Sequence, residues 1–321
     1  MLKALTLPAV IAASALIASG CAAFSDDDSA SDGELRVVAG LYPLQWVTQQ
    51  VAGDEVEVED LTQPGQEPHD LELSPKETAD VASADLVVYE KGLQAAIDNA
   101  VDQTSTGTAL DVSKVARLEP VGHNGHDDVD HRAGETTDEE AQEAQESMGD
   151  LDPHFWQDPL RMADVADAVA DQLSDVDPDH ASTYAANAKK VVAELKALDG
   201  EYSTGLAHCQ RDTIVVSHNA FGYLGRYGLY VEPIAGLSPD AEPTPADLAR
   251  LHELIKKDGI TTVFGERLVS PKLADTLASD MHVTAAILDP IEGLTSETSD
   301  DDYLSLMHAN LAALKKANSC Q

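Results

Sequence analysis

Short β-branched runs alternate with helical patterns along most of this 321-residue chain. That alternation confines it to α/β layers on parallel strands, because a strand reached through a helical crossover returns in the same direction. Residues 35–39, 56–61 and 85–89 read as strands of a first lobe, with helices over 75–84 and 93–101. Residues 213–217, 230–234, 261–265 and 283–288 read as strands of a second lobe, with helices over 244–257 and 272–280. Between the sets, Ala185, Ala188, Val191, Val192, Leu195 and Leu198 recur at helical spacing behind Pro178, which predicts one long helix over 179–206. The expected organisation is a first lobe over 35–178, a linking helix over 179–207 and a second lobe over 208–321. A linking helix resists bending, so only a small closing motion is expected.

The N-terminal segment stands apart from this frame. Met1, Leu2 and Lys3 lead into an apolar run from Ala4 to Ile17 that is too short to span a bilayer. Residues 1–20 read as a signal peptide. It ends in Ala18-Ser19-Gly20-Cys21, which resembles the bacterial lipobox whose cysteine is acylated after cleavage; the alternative is an ordinary secretory signal with an incidental cysteine. Residues 21–34, rich in Ser, Asp and Gly, cannot bury a core and read as a tether. Export permits disulfides, and with Cys21 acylated only Cys209 and Cys320 remain. A bridge between them would tie the C-terminus to the start of the second lobe and contribute on the order of 4 kcal/mol. Two separate buried thiols are the other possibility.

Charge narrows the partners. The chain carries 58 Asp and Glu against 20 Lys and Arg, a formal net charge of −38. Nucleic-acid binding needs clustered cationic side chains, so it is excluded, and cations become the natural ligand class. Aromatics make up only 4% of the chain, which argues against a carbohydrate or peptide groove lined with stacked rings. One insert breaks the α/β rhythm. Residues 123–150 hold His123, His126 and His131 among ten acids and a single arginine. The segment reads either as a solvated acidic loop or as an accessory loop that collects metal weakly.

Ligands of open α/β sheets sit beyond the carboxyl ends of the strands, so the residues there carry the argument. After the strand ending at Leu61 a loop with Pro64, Gly65 and Pro68 presents His69. His218 follows the strand ending at Ser217, and Asp289 and Glu292 follow the strand ending at Leu288. His154 lies on a loop bracketed by Pro153 and Pro159, at the start of a helix. Three imidazoles and one carboxylate, two ligands from each lobe, form a closed tetrahedral set suited to Zn²⁺. Phe155, Trp156, Phe221 and Tyr223 would line a dry wall beside these ligands, and Tyr42 and Trp46 would pack a first-lobe helix. Glu266, Asp70 and Asp158 are each either a partner for an imidazole N–H or a solvated acid. His180, His208, His252, His282 and His308 fall on helices or element ends, away from the site.

The runs PGQEPHDLELSP, DPHFWQDP, SHNAFGYLGRYGL, GLSPDAEPTPADL and LDPIEGL occur in this order. Together they resemble the signature segments of the metal-binding lipoproteins that feed bacterial zinc and manganese ABC importers, the zinc solute-binding type in particular. The resemblance runs from about residue 35 to the C-terminus, and zinc-type members also carry a His-rich acidic insert where 123–150 stands. It implies two α/β lobes joined by a rigid long helix, with one metal in the cleft held by His69, His154 and His218. Manganese-type relatives have a carboxylate at the third position, so His218 favours zinc. For the fourth ligand, Glu292 matches zinc members with a similar PLE run and Asp289 matches the manganese type; Glu292 is preferred. The family implies a monomeric receptor, lipid-anchored on the extracytoplasmic face of the cell membrane, that passes Zn²⁺ to an ABC permease and its ATPase. Manganese or mixed-metal carriage is the nearest alternative, and an adhesin role is a further one. A zinc hydrolase would need an open coordination position and a general base. No HExxH, GxSxG or P-loop run occurs in the sequence, so no enzyme is expected.

Overall fold

Two four-stranded parallel sheets form the frame of the computed structural model, which describes residues 35–122 and 151–321. The expected signal peptide, acylated Cys21, acidic tether and metal-collecting His123, His126 and His131 lie outside the described residues. The first sheet is built from β1 (Val37–Ala39), β2 (Val58–Asp60), β3 (Leu86–Tyr89) and β4 (Thr108–Asp111), in the order β2-β1-β3-β4. Around it run α1 (Tyr42–Ala52), α2 (Pro75–Ser83), α3 (Ala95–Thr104) and the short α4 (Ser113–Ala116). A two-residue antiparallel ladder joins β5 (Glu119–Pro120) to β6 (Leu151–Asp152) and forms the stem of the 121–150 segment. Then come α5 (Pro159–Val176) and the long α6 (Ala181–Leu206).

The second sheet holds β7 (Thr213–Val216), β8 (Tyr230–Pro233), β9 (Thr262–Gly265) and β10 (Thr284–Ile287), in the order β10-β9-β7-β8. Its helices are α7 (Pro245–Asp258), α8 (Lys272–Met281) and α9 (Tyr303–Asn318). Every strand of β1, β3, β7 and β9 is buried along its length, as expected of central parallel strands covered on both faces by helices.

The predicted strands and helices are present with their ends shifted: the strands are shorter by one to three residues, whereas α3, α7 and α8 run past their expected C-terminal ends. Among the elements without a clear sequence signal are β4 and α9. β4 is a half-exposed edge strand, Thr-Ala-Leu-Asp, too short to show a period. Gly107 lets it join the sheet: a Cβ there would stand 2.2 Å from the Ala84 carbonyl oxygen. The C-terminal α9 buries Tyr303, Leu306, Met307, Asn310, Leu311, Leu314 and Ala317 behind an Asp302/Ser305 capping box.

The linking helix is more embedded than a strut between lobes. Tyr184, Ala188, Val191, Leu195, Leu198 and Tyr202 form one buried stripe on α6, which packs along α5, α1 and α9. One continuous apolar core therefore passes from β1 and β3 through α5 and α6 to β7, with a smaller cluster on the far side of each sheet. Cys209 and Cys320 are joined in a disulfide that ties the end of α6 to the residues after α9. No described helix is long and apolar enough to cross a membrane.

Candidate metal centre

Each candidate side chain is delivered by a different local device. The loop after β2 is pinned where the Thr62 hydroxyl donates to the Gly40 carbonyl at 2.6 Å and receives the Gln94 amide at 2.8 Å. Farther on, the Gly65 N–H donates to Leu294 of the second lobe at 2.8 Å. The loop ends in a capping box, with Ser74 and Glu77 satisfying each other's backbone at the start of α2. Between these anchors stands His69.

His154 follows β6 directly. Asp152 Oδ1 accepts both the His154 backbone N–H at 3.0 Å and faces the ring Nδ1 at 2.8 Å. A 3-10 turn over Phe155–Gln157 leads to Asp158, whose carboxylate caps α5 by accepting from Leu160 N. His218 leaves the carboxyl end of β7, and its Nδ1 faces Glu266 Oε1 at 2.8 Å, just past the end of β9. With Nδ1–H donated to a carboxylate, each of these rings turns Nε2 toward the centre, where it meets Glu292 and would offer its lone pair to a metal once its proton is lost.

Glu292 completes the group from the loop after β10. Its Oε1 lies 3.3 Å from His154 Nε2, 3.3 Å from His218 Nε2 and 3.6 Å from His69 Nε2. One ligand atom from each of the four residues fits within 4.8 Å of all the others. His154, His218 and Glu292 are buried and His69 is half-buried. The four residues face one another across the two lobes, as an ion-sized site requires.

Asp289 stands near this group but is engaged elsewhere. Its Oδ1 accepts the Ile291 N–H at 2.8 Å and its Oδ2 faces Arg267 Nε at 3.1 Å. Asn310 brackets its backbone, accepting from Asp289 N at 2.9 Å and donating to Asp289 O at 2.6 Å. Of the two carboxylates, Glu292 is the one that faces the imidazoles, and Asp289 braces the loop that carries it.

The charges around the centre explain one another. Burial alone would lower the His218 imidazole, but Glu292 and Glu266 outweigh it and lift the ring to about 10. His154 is raised in the same way, against burial, by Asp152 and Glu292. Burial pushes the Glu292 carboxyl up, yet His218, His154 and His69 hold it well below the usual carboxylate range. Beside them, burial and the Glu292 charge push Glu67 up to about 8. In the metal-free protein, His154 and His218 share protons with Glu292 on the nitrogens that face the centre.

Of the residues that left two readings open, Glu266 partners an imidazole, whereas Asp158 pairs with Arg161 and Arg226 and Asp70 is exposed. Asp152 was not singled out from sequence; the signal was its place two residues before His154 in DPH. Phe155, Trp156, Phe221 and Tyr223 are buried, and Trp156 meets His154 edge-on with ring centroids 5.4 Å apart. Trp46 lies on α1 against Tyr303, with ring centroids 4.7 Å apart. His180 pairs with Asp177 and Glu55, and His308 with Glu201, at sites remote from the centre.

Comparison with known proteins places this geometry. The chain is 36% identical over 316 residues to the zinc-binding lipoprotein AdcA of Streptococcus pneumoniae, covering 94% of this chain and 60% of that protein. It is 34% identical over 314 residues to the high-affinity zinc uptake system protein ZnuA of Bacillus subtilis, covering 95% of each. The crystal structure of Zn(II)-bound AdcA from Streptococcus pneumoniae superposes with a TM-score of 0.72 at 34% identity, over 89% of this chain and 58% of that one. This chain thus spans about three-fifths of the length of AdcA and nearly all of the Bacillus protein. Residues 37–317 match the family model described as zinc-uptake complex component A, periplasmic, and the chain belongs to that ZnuA family.

Proposed function

We propose that this protein is an extracytoplasmic zinc receptor, which captures one Zn²⁺ as cargo on His69, His154, His218 and Glu292 and hands it to an ABC permease driven by its ATPase. The observation that carries this reading is the set of four ligand atoms within 4.8 Å of one another, drawn from both lobes. Three neutral imidazoles favour zinc over manganese, which prefers oxygen ligands. AdcA and ZnuA, whose names record zinc binding and zinc uptake, support the same choice. A four-ligand set fills the tetrahedral shell and keeps no position for an activated water, so the protein acts as a receptor and not as a hydrolase.

Signal-peptide cleavage before Cys21 and acylation of that cysteine would hold the monomeric receptor on the outer face of the cell membrane, with residues 21–34 as tether. AdcA, named a lipoprotein, supports the anchor. Competition titration of the chelator-stripped protein tests the central claim. One tight Zn²⁺ equivalent is expected, and His218→Ala should weaken it by more than a hundredfold. An unchanged affinity in His218→Ala would sink the assignment.

A further inference from the structure

The segments that carry His154 and Glu292 are fastened to each other. Just past His154, the Trp156 indole N–H and the Gln157 side-chain amide both reach into the second lobe and donate to one oxygen, the Pro290 carbonyl, at 2.7 and 2.6 Å. Pro290 stands two residues before Glu292. A carbonyl oxygen has two lone pairs, so the first lobe takes the whole acceptor capacity of this one. The Tyr303 hydroxyl of α9 in turn donates to the Trp156 carbonyl at 2.6 Å, anchoring the same turn from behind.

The residue between latch and ligand is under strain. Ile291 has φ 62°, in the left-handed region that a β-branched residue rarely adopts. Such a conformation persists only where the surroundings over-determine it. Here the Asp289 carboxylate holds the Ile291 N–H, Arg267 and Asn310 hold Asp289, and the Ile291 side chain is fully buried. Gln157 is also an unusual choice for its place. It is buried and its Oε1 finds no hydrogen-bond partner, a cost that a methionine or leucine of similar size would avoid. Its amide N–H bond to Pro290 is what it offers in return.

We propose that Gln157 and Trp156 are positioning residues for Glu292: their shared latch on the Pro290 carbonyl keeps the Ile291 turn left-handed and so sets the Glu292 carboxylate within reach of the three imidazoles. The inference rests on the assignment of Glu292 as a zinc ligand. It makes the first lobe responsible for placing a second-lobe ligand, through two hydrogen bonds that never touch the metal.

The test is a double-mutant cycle on zinc affinity, read by chelator competition on the full chain. Gln157→Met removes one latch donor at nearly constant volume, and Trp156→Phe removes the other and serves should the first variant fold poorly. Each should weaken zinc binding about 10- to 100-fold, the range for partners that orient ligands. In a Glu292→Ala background the same substitutions should have no further effect, because their target is gone. In an Ile291→Gly background, where the left-handed turn carries no strain, the Gln157→Met loss should shrink. A wild-type affinity in both latch variants would overturn the proposal. So would an equal fold-loss with and without Glu292, the additive result of a merely structural role. If Glu292→Ala itself left affinity unchanged, the ligand assignment would fall and the latch with it; a weakened Glu292→Ala beside unaffected latch variants would overturn the latch alone.

Discussion

Of the three histidines proposed as ligands, His154 and His218 have their rings oriented by a carboxylate, whereas His69 is held by its loop. Each of the first two has a buried carboxylate 2.8 Å behind its Nδ1, Asp152 in one case and Glu266 in the other. Both emerge from the sheets or their stem, where backbone ladders fix the Cα. Among the described residues the His69 ring has no such tight bond: Asp240, joined to Asp70, acts on it through charge, and the nearby Glu67 bonds the His69 backbone N–H. A side chain can be positioned by orienting its ring or by restraining its backbone, and this site orients a ring in each lobe and restrains a loop in the first.

The largest expected effect breaks this comparison open. His218→Ala removes a proposed zinc ligand and also strands Glu266, which is 3% exposed, without its imidazole partner, while Glu292 keeps His154 and His69. Removing one member of a buried ion pair costs about 3–5 kcal/mol, so the metal-free variant should melt well below the parent. His69→Ala should lose zinc affinity as well but leave metal-free stability nearly intact, since it orphans no buried orienting carboxylate. Thermal melts of the stripped proteins beside competition titrations separate the two. Equal destabilisation by both variants would erase the distinction.

The next effect is a response to pH. His218 is lifted to about 10, against about 6.5 in an unfolded chain. A basic group raised by folding contributes stability that is fully present below about pH 6.5 and is lost as pH rises through about 10. Metal-free protein should therefore lose stability steadily between these values, and His218→Ala should flatten the slope. Zinc binding runs the other way, because the metal must displace the shared protons. Affinity should rise with pH in the same window, by up to about tenfold per unit for each proton released. Stability of the stripped protein that climbs from pH 7 to 9.5 would contradict this charge arrangement.

Sequence reading reached the frame and the residues that cluster at the candidate site by different routes. Central strands such as Leu86–Tyr89 and Thr213–Val216 are apolar on both faces and announce themselves, and the α6 stripe is long enough to show its period. The histidines were legible because they follow strand ends or sit between prolines. What stayed hidden depends on contacts far apart in the chain. Asp289 and Glu292, three residues apart, are separated in the sequence only by the resemblance that favours Glu292; that Arg267 and Asn310 engage Asp289 is visible only in the fold. The embedding of α6 also escaped notice, because helical spacing reports a buried stripe without naming the elements that cover it.

Substitutions of the orienting carboxylates come third in size. Glu266→Gln and Asp152→Asn keep shape and remove the charge that holds each ring's tautomer and raises its basicity. Each should cost about 10- to 100-fold in zinc affinity. Glu67→Gln is the matched control on the other side of the comparison. Burial and Glu292 push that carboxyl up to about 8, so at pH 7 it is mostly neutral already, and replacing it with an amide should change affinity little. A loss from Glu67→Gln as large as that from Glu266→Gln would mean that His69 too depends on a charged partner.

The smallest effect probes how the His69 loop is restrained. Ser74 accepts from the Glu77 backbone and Glu77 accepts from the Ser74 N–H, closing the capping box where the loop enters α2. Ser74→Ala should cost about 1 kcal/mol of stability by exposing an unsatisfied helix end. Its effect on zinc is informative because the cap lies five residues from His69 and touches no ligand. If backbone restraint is what positions His69, the zinc dissociation rate should rise a few-fold in Ser74→Ala. Ser74→Thr, which keeps a hydroxyl cap at the same place, serves as the reference and should leave both stability and the rate nearly unchanged. The same rate in both variants would show that Pro64, Pro68 and the Gly65–Leu294 bond already hold the loop without help from its helix.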